Sequence, residues 1–188
     1  TYFDGEKPVI LALAYYECPI VCPLILDRLS DTIDELDFVV GEDFNVVVVS
    51  FDPNETVTQA RGKALKFLPV YNRTDKETLA KGWTFHVGDE DQIRQLADAV
   101  GYRFKPLPNG EYSHPVALTI LSPDGKITRY FYGFDYPERD VKLSLLEASE
   151  GKIAKSFGDA LAFLCYRYDP NAGSYTASAM MIMRIAGI

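Results

Sequence analysis

Glu17-Cys18-Pro19-Ile20-Val21-Cys22-Pro23 holds two of the chain's three cysteines, four positions apart. The apolar run Pro8-Val9-Ile10-Leu11-Ala12-Leu13-Ala14-Tyr15-Tyr16 leads into it and reads as a buried strand over about 9–16. Behind it Ile25, Leu29, Thr32, Ile33 and Leu36 recur at helical spacing, which predicts a helix over about 23–37. Pro23 suits the first helical position, where a missing N–H costs nothing; Cys22 is then the N-cap and Cys18 lies in the turn before it. Both sulfurs would sit at the positive end of a helix dipole, whose field favours thiolate over thiol. Thiolates are what a soft metal or a disulfide requires. Two inert buried cysteines are the plain alternative, and a strand-to-helix junction with flanking prolines argues against it.

Outward from this turn the elements alternate. Phe44-Asn45-Val46-Val47-Val48-Val49-Ser50-Phe51 is a β-branched run that needs both faces covered, as a central parallel strand has. Thr56 and Gln59 form a capping-box pattern for a helix whose inner face is Ala60, Ala64 and Phe67. Residues 71–82 read as a polar connection, and Trp83–Gly88 as a short strand. Asp89 and Gln92 cap a further helix that Gly101 ends. Residues 102–112 form a loop with a turn at Asn109-Gly110. Val116–Leu121 and Lys126–Tyr132 form a hairpin through Ser122-Pro123-Asp124-Gly125, and a helix over about 138–150 follows. The order β-α-β-α-β-α-β-β-α, with cysteines at the first strand–helix junction, predicts an α/β thioredoxin-like fold: a central mixed sheet with flanking helices. That unit covers residues 1–151, and residues 152–188 form a C-terminal extension with a helix expected over 157–168.

A chain of 188 residues with 47% hydrophobic content and mean hydropathy −0.07 can bury a sizeable core. Its net charge of −8 argues against nucleic acid and against an anionic membrane surface. Three cysteines are too few for a disulfide scaffold, so a close pair points to chemistry. The chain begins at Thr1, as expected of one trimmed of a signal peptide or anchor, and no segment is long enough to span a bilayer.

Thioredoxin-type enzymes usually place two residues between their cysteines; here there are three, Pro19-Ile20-Val21. Such a pair can close a disulfide or hold one metal ion, and spacing alone leaves both open. Of the two histidines, His114 immediately precedes the hairpin, where the fold would turn it towards the cysteines. Two thiolates and an imidazole suit Cu(I) or Cu(II). His86, mid-strand, reads as a hydrogen-bonded structural residue. Pro115 stands where thioredoxin-like folds often carry a cis-proline, against a trans default for X–Pro bonds, so both isomers are open. Asp52, ending the second strand, is placed to orient a ligand or partner; a helix-entry turn is the equal alternative. Cys165 reads as a buried thiol. Met180, Met181 and Met183 offer thioether sulfur for Cu(I), though an apolar packing segment is the simpler reading.

Over residues 5–150 the sequence resembles the Sco/SenC family of copper-binding thioredoxin-fold proteins. The resemblance rests on Cys18-Pro-Ile-Val-Cys22-Pro23, Ser50-Phe51-Asp52-Pro53, His114, Leu121-Ser-Pro-Asp-Gly125 and Tyr130-Phe-Tyr-Gly133. It implies a site for one copper ion made by Cys18, Cys22 and His114. It also implies a role in assembling the dinuclear copper centre of cytochrome c oxidase. The implied partners are the copper-centre subunit of that oxidase and a thioredoxin-like reductant. The implied location is a tethered one, at the periplasmic face of the bacterial inner membrane. The tail from about 152 resembles a subgroup that continues into a transmembrane helix. Pro115 departs from the family's usual residue. Two functions follow: a copper metallochaperone that is not a turnover enzyme, or a thiol–disulfide oxidoreductase using Cys18 and Cys22 as a redox pair. A thiol peroxidase is the weaker form of the second, because no arginine lies close in sequence to Cys18; the nearest following one is Arg28.

Overall fold

Every residue of β1 (Val9–Ala14) is buried, as an unbroken apolar run requires when both faces are covered. The computed structural model describes residues 2–3, 5–170 and 172–178. From β1 the chain turns through the paired cysteines into α1 (Val21–Glu35) and returns as β2 (Asn45–Ser50), parallel to β1 with Leu11 opposite Val47. α2 (Val57–Phe67) starts from the expected capping box, in which the Thr56 N–H donates to Gln59 Oε1 at 2.7 Å. Within 71–82, expected to be irregular, lies α3 (Lys76–Gly82), capped by Asp75, which accepts from the N–H groups of Glu77 and Thr78. Leu79 is its one buried large apolar side chain, too little to show a helical period. Gly82 ends this helix against Gly41: a Cβ there would lie 2.3 Å from Gly41 Cα, so only glycine fits. β3 (Trp83–His86) runs parallel to β2, and α4 (Glu90–Ala99) opens with the expected box of Asp89 and Gln92.

The loop expected over 102–112 contains a small ladder, β4 (Lys105–Pro106) against β5 (Tyr112–Ser113), closed by the turn at Gly110, whose φ is +84°. β6 (Ala117–Leu121) and β7 (Ile127–Tyr132) form the hairpin, and β6 is antiparallel to β1 with Ile120 opposite Ile10. The main sheet therefore runs β3-β2-β1-β6-β7, mixed, with helices flanking it: the thioredoxin-like arrangement. α5 (Glu138–Ala148) packs on β6, β7 and α1. Trp83, Phe38, Phe44, Phe51, Leu29, Leu118 and Ile120 are fully buried in one core.

The C-terminal extension is not wholly helical. α6 (Phe157–Cys165) ends three residues short of the expected helix, and β8 (Tyr166–Asp169) pairs antiparallel with β9 (Ser174–Ala177). Tertiary packing favours the hairpin. The Arg129 guanidinium lies 4.3 Å from the centre of the Tyr168 ring and pairs with Glu147, which also accepts from the Tyr175 hydroxyl. Asp159 of α6 is buried and pairs with Lys142 at 2.5 Å. Cys165, expected to be buried, is half-buried. Met180, Met181 and Met183 lie outside the described residues. Among the described residues no helix is long and apolar enough to cross a membrane.

Candidate metal centre

The cysteine turn hangs between β1 and α1 by bonds to sulfur. Cys18 N–H donates to Tyr15 O at 3.3 Å, closing the turn. Tyr15 N–H points at Cys22 Sγ at 3.4 Å, and Cys22 N–H at Cys18 Sγ at 3.3 Å. α1 starts at Val21 with Ile20 as N-cap, so Cys22 is not the cap and Pro23 is the third helical residue. The shift is tolerated because the N–H of that position also lacks an intrahelical acceptor. Ile20 provides no side-chain cap; the Cys18 sulfur fills that place by accepting from the helix's first turn. Cys22 falls on the inner stripe with Ile25, Leu26 and Leu29 and is buried.

His114 arrives just after β5, on the approach to β6, the strand that neighbours β1 in the sheet. Its Nε2 lies 3.8 Å from Cys22 Sγ. Its Nδ1 lies 2.9 Å from Pro115 O and 3.0 Å from the Tyr102 hydroxyl. A carbonyl only accepts, so Nδ1 carries the proton and Nε2 presents its lone pair to the sulfur. Among the described residues no peptide bond is cis, so Pro115 is trans. Cys18 Sγ, Cys22 Sγ and a ring nitrogen of His114 lie within 4.8 Å of one another. Phe51, Tyr15 and Tyr102 wall the imidazole, with ring centres 5.2, 6.0 and 6.3 Å away.

Asp52 does not belong to this three-atom cluster. Its carboxylate accepts from the Asn54 N–H and side-chain amide, both at 2.9 Å. Burial, together with Asp52, pushes Tyr112 up to about 12. His86 is bonded through Nε2 to the Tyr2 hydroxyl at 2.8 Å, as a structural histidine would be. Arg28 pairs with Asp31 further along α1, an unsuitable arrangement for activating Cys18 in a peroxidase. Sequence reasoning missed Glu55, a buried carboxylate three residues beyond Asp52 that accepts from the N–H groups of Tyr16 and Glu17. Its only sequence signal is its place in the loop that faces the cysteine turn.

The two thiols are unlike. Burial pushes Cys18 up, but the N–H groups of Cys22 and Ile20 and the Tyr15 hydroxyl outweigh it, and its pKa falls below the ordinary thiol value. Burial dominates at Cys22, whose thiol is pushed far up, against the dipole argument. A lowered folded pKa stabilises the fold above the unfolded value and loses that contribution as pH falls through the folded one. A raised one acts below the unfolded value and is lost as pH rises through the folded one. Between the two folded values Cys18 is therefore thiolate and Cys22 thiol. Alkylation of the metal-free, reduced protein is expected to label Cys18 with a midpoint below about 8.5 and to leave Cys22 unlabelled until unfolding. Equal labelling of both, followed by mass spectrometry across pH, would refute the split.

The sequence pattern of the SCO1/SenC family matches residues 1–144. The human mitochondrial protein SCO1 homolog is 25% identical over 130 residues, which cover 65% of this chain and 39% of that one. The chain spans less than two thirds of the length of the curated relatives it matches. A solved protein of Aquifex aeolicus VF5 aligns at 26% identity with a TM-score of 0.67, covering 84% of this chain and 98% of that one. ScoI of Arabidopsis thaliana, solved with copper bound, shares the fold: the TM-score is 0.56 at 19% identity, over 79% of this chain and 82% of that one. The residues matched take in β1, the cysteine turn and His114 and end within α5, and this chain belongs to the SCO1/SenC family.

Proposed function

We propose that this chain is a copper metallochaperone that carries one ion, as Cu(I) or Cu(II), on Cys18, Cys22 and His114 and serves assembly of the dinuclear copper centre of cytochrome c oxidase. The observation that carries the reading is the set of two sulfurs and one imidazole nitrogen within 4.8 Å. Two soft sulfurs suit Cu(I), and the added nitrogen suits Cu(II). A low ligand count suits cargo, because an incoming protein can add its own ligands before these let go. The recipient is the copper-centre subunit of the oxidase, and the chain works tethered at the periplasmic face of the membrane. The ligands all lie within residues 1–151, the copper-carrying unit; the described residues beyond it, 152–170 and 172–178, pack on it as an extension.

Thiol–disulfide exchange against a thioredoxin-like reductant is the lesser reading. It uses Cys18 and Cys22 and gives no work to an imidazole whose Nε2 faces Cys22. Copper content of anaerobically reduced protein separates the two. Wild type is expected to hold one equivalent, and Cys18→Ser and Cys22→Ser each to lose it, because a single thiolate with imidazole is a poor Cu(I) site. One equivalent retained by either variant would overturn the ligand set.

A further inference from the structure

We propose that Glu55 is the positioning residue of the Cys18–Cys22 pair: it fixes the peptide from which the cysteine turn departs, and with it the spacing of the two sulfurs. Its effect on copper rests on the function proposed above.

Glu55 stands one residue before the N-cap of α2, yet its side chain leaves its own helix and crosses to the neighbouring loop. It is 7% exposed. Oε2 accepts from the Tyr16 N–H at 2.7 Å and from the Ser50 hydroxyl at 2.5 Å, and Oε1 accepts from the Glu17 N–H at 2.7 Å. Three donors converge on the two oxygens, the surroundings of a carboxylate that only accepts. Tyr16 and Glu17 are the two residues before Cys18, and the Cys18 N–H is tied back to Tyr15 O. The clamp thus sets where the chain leaves β1 and where Cys18 Sγ meets the Cys22 N–H. Released, the turn would keep its covalent spacing but lose the orientation that brings Cys18 Sγ over α1. The buried negative charge beside the pair also favours a doubly charged ion over a singly charged one.

The test uses the full chain with Glu55→Gln, which keeps the reach but sets an amide NH2 against a backbone donor, and Ser50→Ala, which leaves the hydrogen bonds from the Tyr16 and Glu17 N–H groups in place. Each is read by Cu(II) affinity, by the thiolate-to-Cu(II) absorption, and by the Cys18–Cys22 disulfide equilibrium in glutathione buffers, with thermal unfolding alongside. Glu55→Gln is expected to weaken Cu(II) binding about 10- to 100-fold, Cu(I) binding less, with a shifted absorption band. Its disulfide equilibrium is expected to move about tenfold, and that of Ser50→Ala, which removes one of the three donors but keeps both backbone donors, clearly less. A folded Glu55→Gln that matches wild type in both copper binding and disulfide equilibrium overturns the proposal, as does a change no larger than the unfolded fraction explains. If Glu55→Gln does not fold, Glu55→Asp, which keeps the charge but shortens the reach, is judged by the same two readouts. If wild type binds no copper while Glu55→Gln still moves the disulfide equilibrium, the copper reading fails and the positioning role stands.

Discussion

Replacing His114 by Ala is expected to abolish the intense thiolate-to-Cu(II) absorption and to weaken Cu(II) binding by at least about a hundredfold, beyond the usual effect of losing an outer partner. Cu(II) prefers nitrogen ligands and a coordination number above two; Cu(I) is satisfied by two thiolates in line, so part of the Cu(I) affinity should survive. The disulfide between Cys18 and Cys22 needs no imidazole and should still close. A Cu(II) titration of reduced protein by visible absorption, paired with a free-thiol count, makes the measurement. An unchanged spectrum and affinity would remove His114 from the site and move thiol–disulfide exchange ahead. Tyr102→Phe is the companion variant: the Pro115 carbonyl still holds the Nδ1 proton, so it should lose much less than His114→Ala.

Phe51→Ala carries the largest expected loss of stability, about 3–5 kcal/mol. The ring is fully buried at the end of β2. Phe104, His114, Tyr112, Tyr15 and Tyr102 surround it, with centres 4.8, 5.2, 5.4, 5.5 and 5.7 Å away. Tyr15 comes from the turn after β1, Tyr102 and Phe104 from the loop after α4, and Tyr112 and His114 from β5 and the residue behind it, so no single shift collapses the cavity that the truncation leaves. Urea unfolding of metal-free protein should show a lower midpoint with the slope preserved. His114 loses one wall in the same change, so Cu(II) affinity should fall with stability. A loss under about 1 kcal/mol would mean that the site repacks and that Phe51 is not its hub.

Much of the architecture was legible because its signals are local. The boxes at Thr56–Gln59 and Asp89–Gln92 form from backbone and side chains three residues apart, and both are present. The apolar run of β1 demanded two covered faces and has them; the valine run of β2 is buried at Val46, Val47 and Val48 and half-buried at Val49. The start of α1 was less legible. Proline is accepted at the third helical position as well as the first, so Pro23 alone does not locate the cap. α3 escaped notice because one leucine makes no period, and β8 because its pairing depends on Arg129 and Glu147, far away in sequence.

For the site, residue type and spacing, with the fold they predict, singled out Cys18, Cys22 and His114 as candidate groups for metal or redox chemistry. They also limited that chemistry to soft ions or sulfur exchange. Only the tertiary structure decided which nitrogen of His114 faces sulfur, that Cys18 and Cys22 differ in protonation, and that Glu55 rather than Asp52 grips the cysteine turn. The physical reason is range. Helix caps and strand patterns arise between near neighbours in the chain, whereas burial, the proton on a ring nitrogen and the reach of a carboxylate depend on what folding brings alongside.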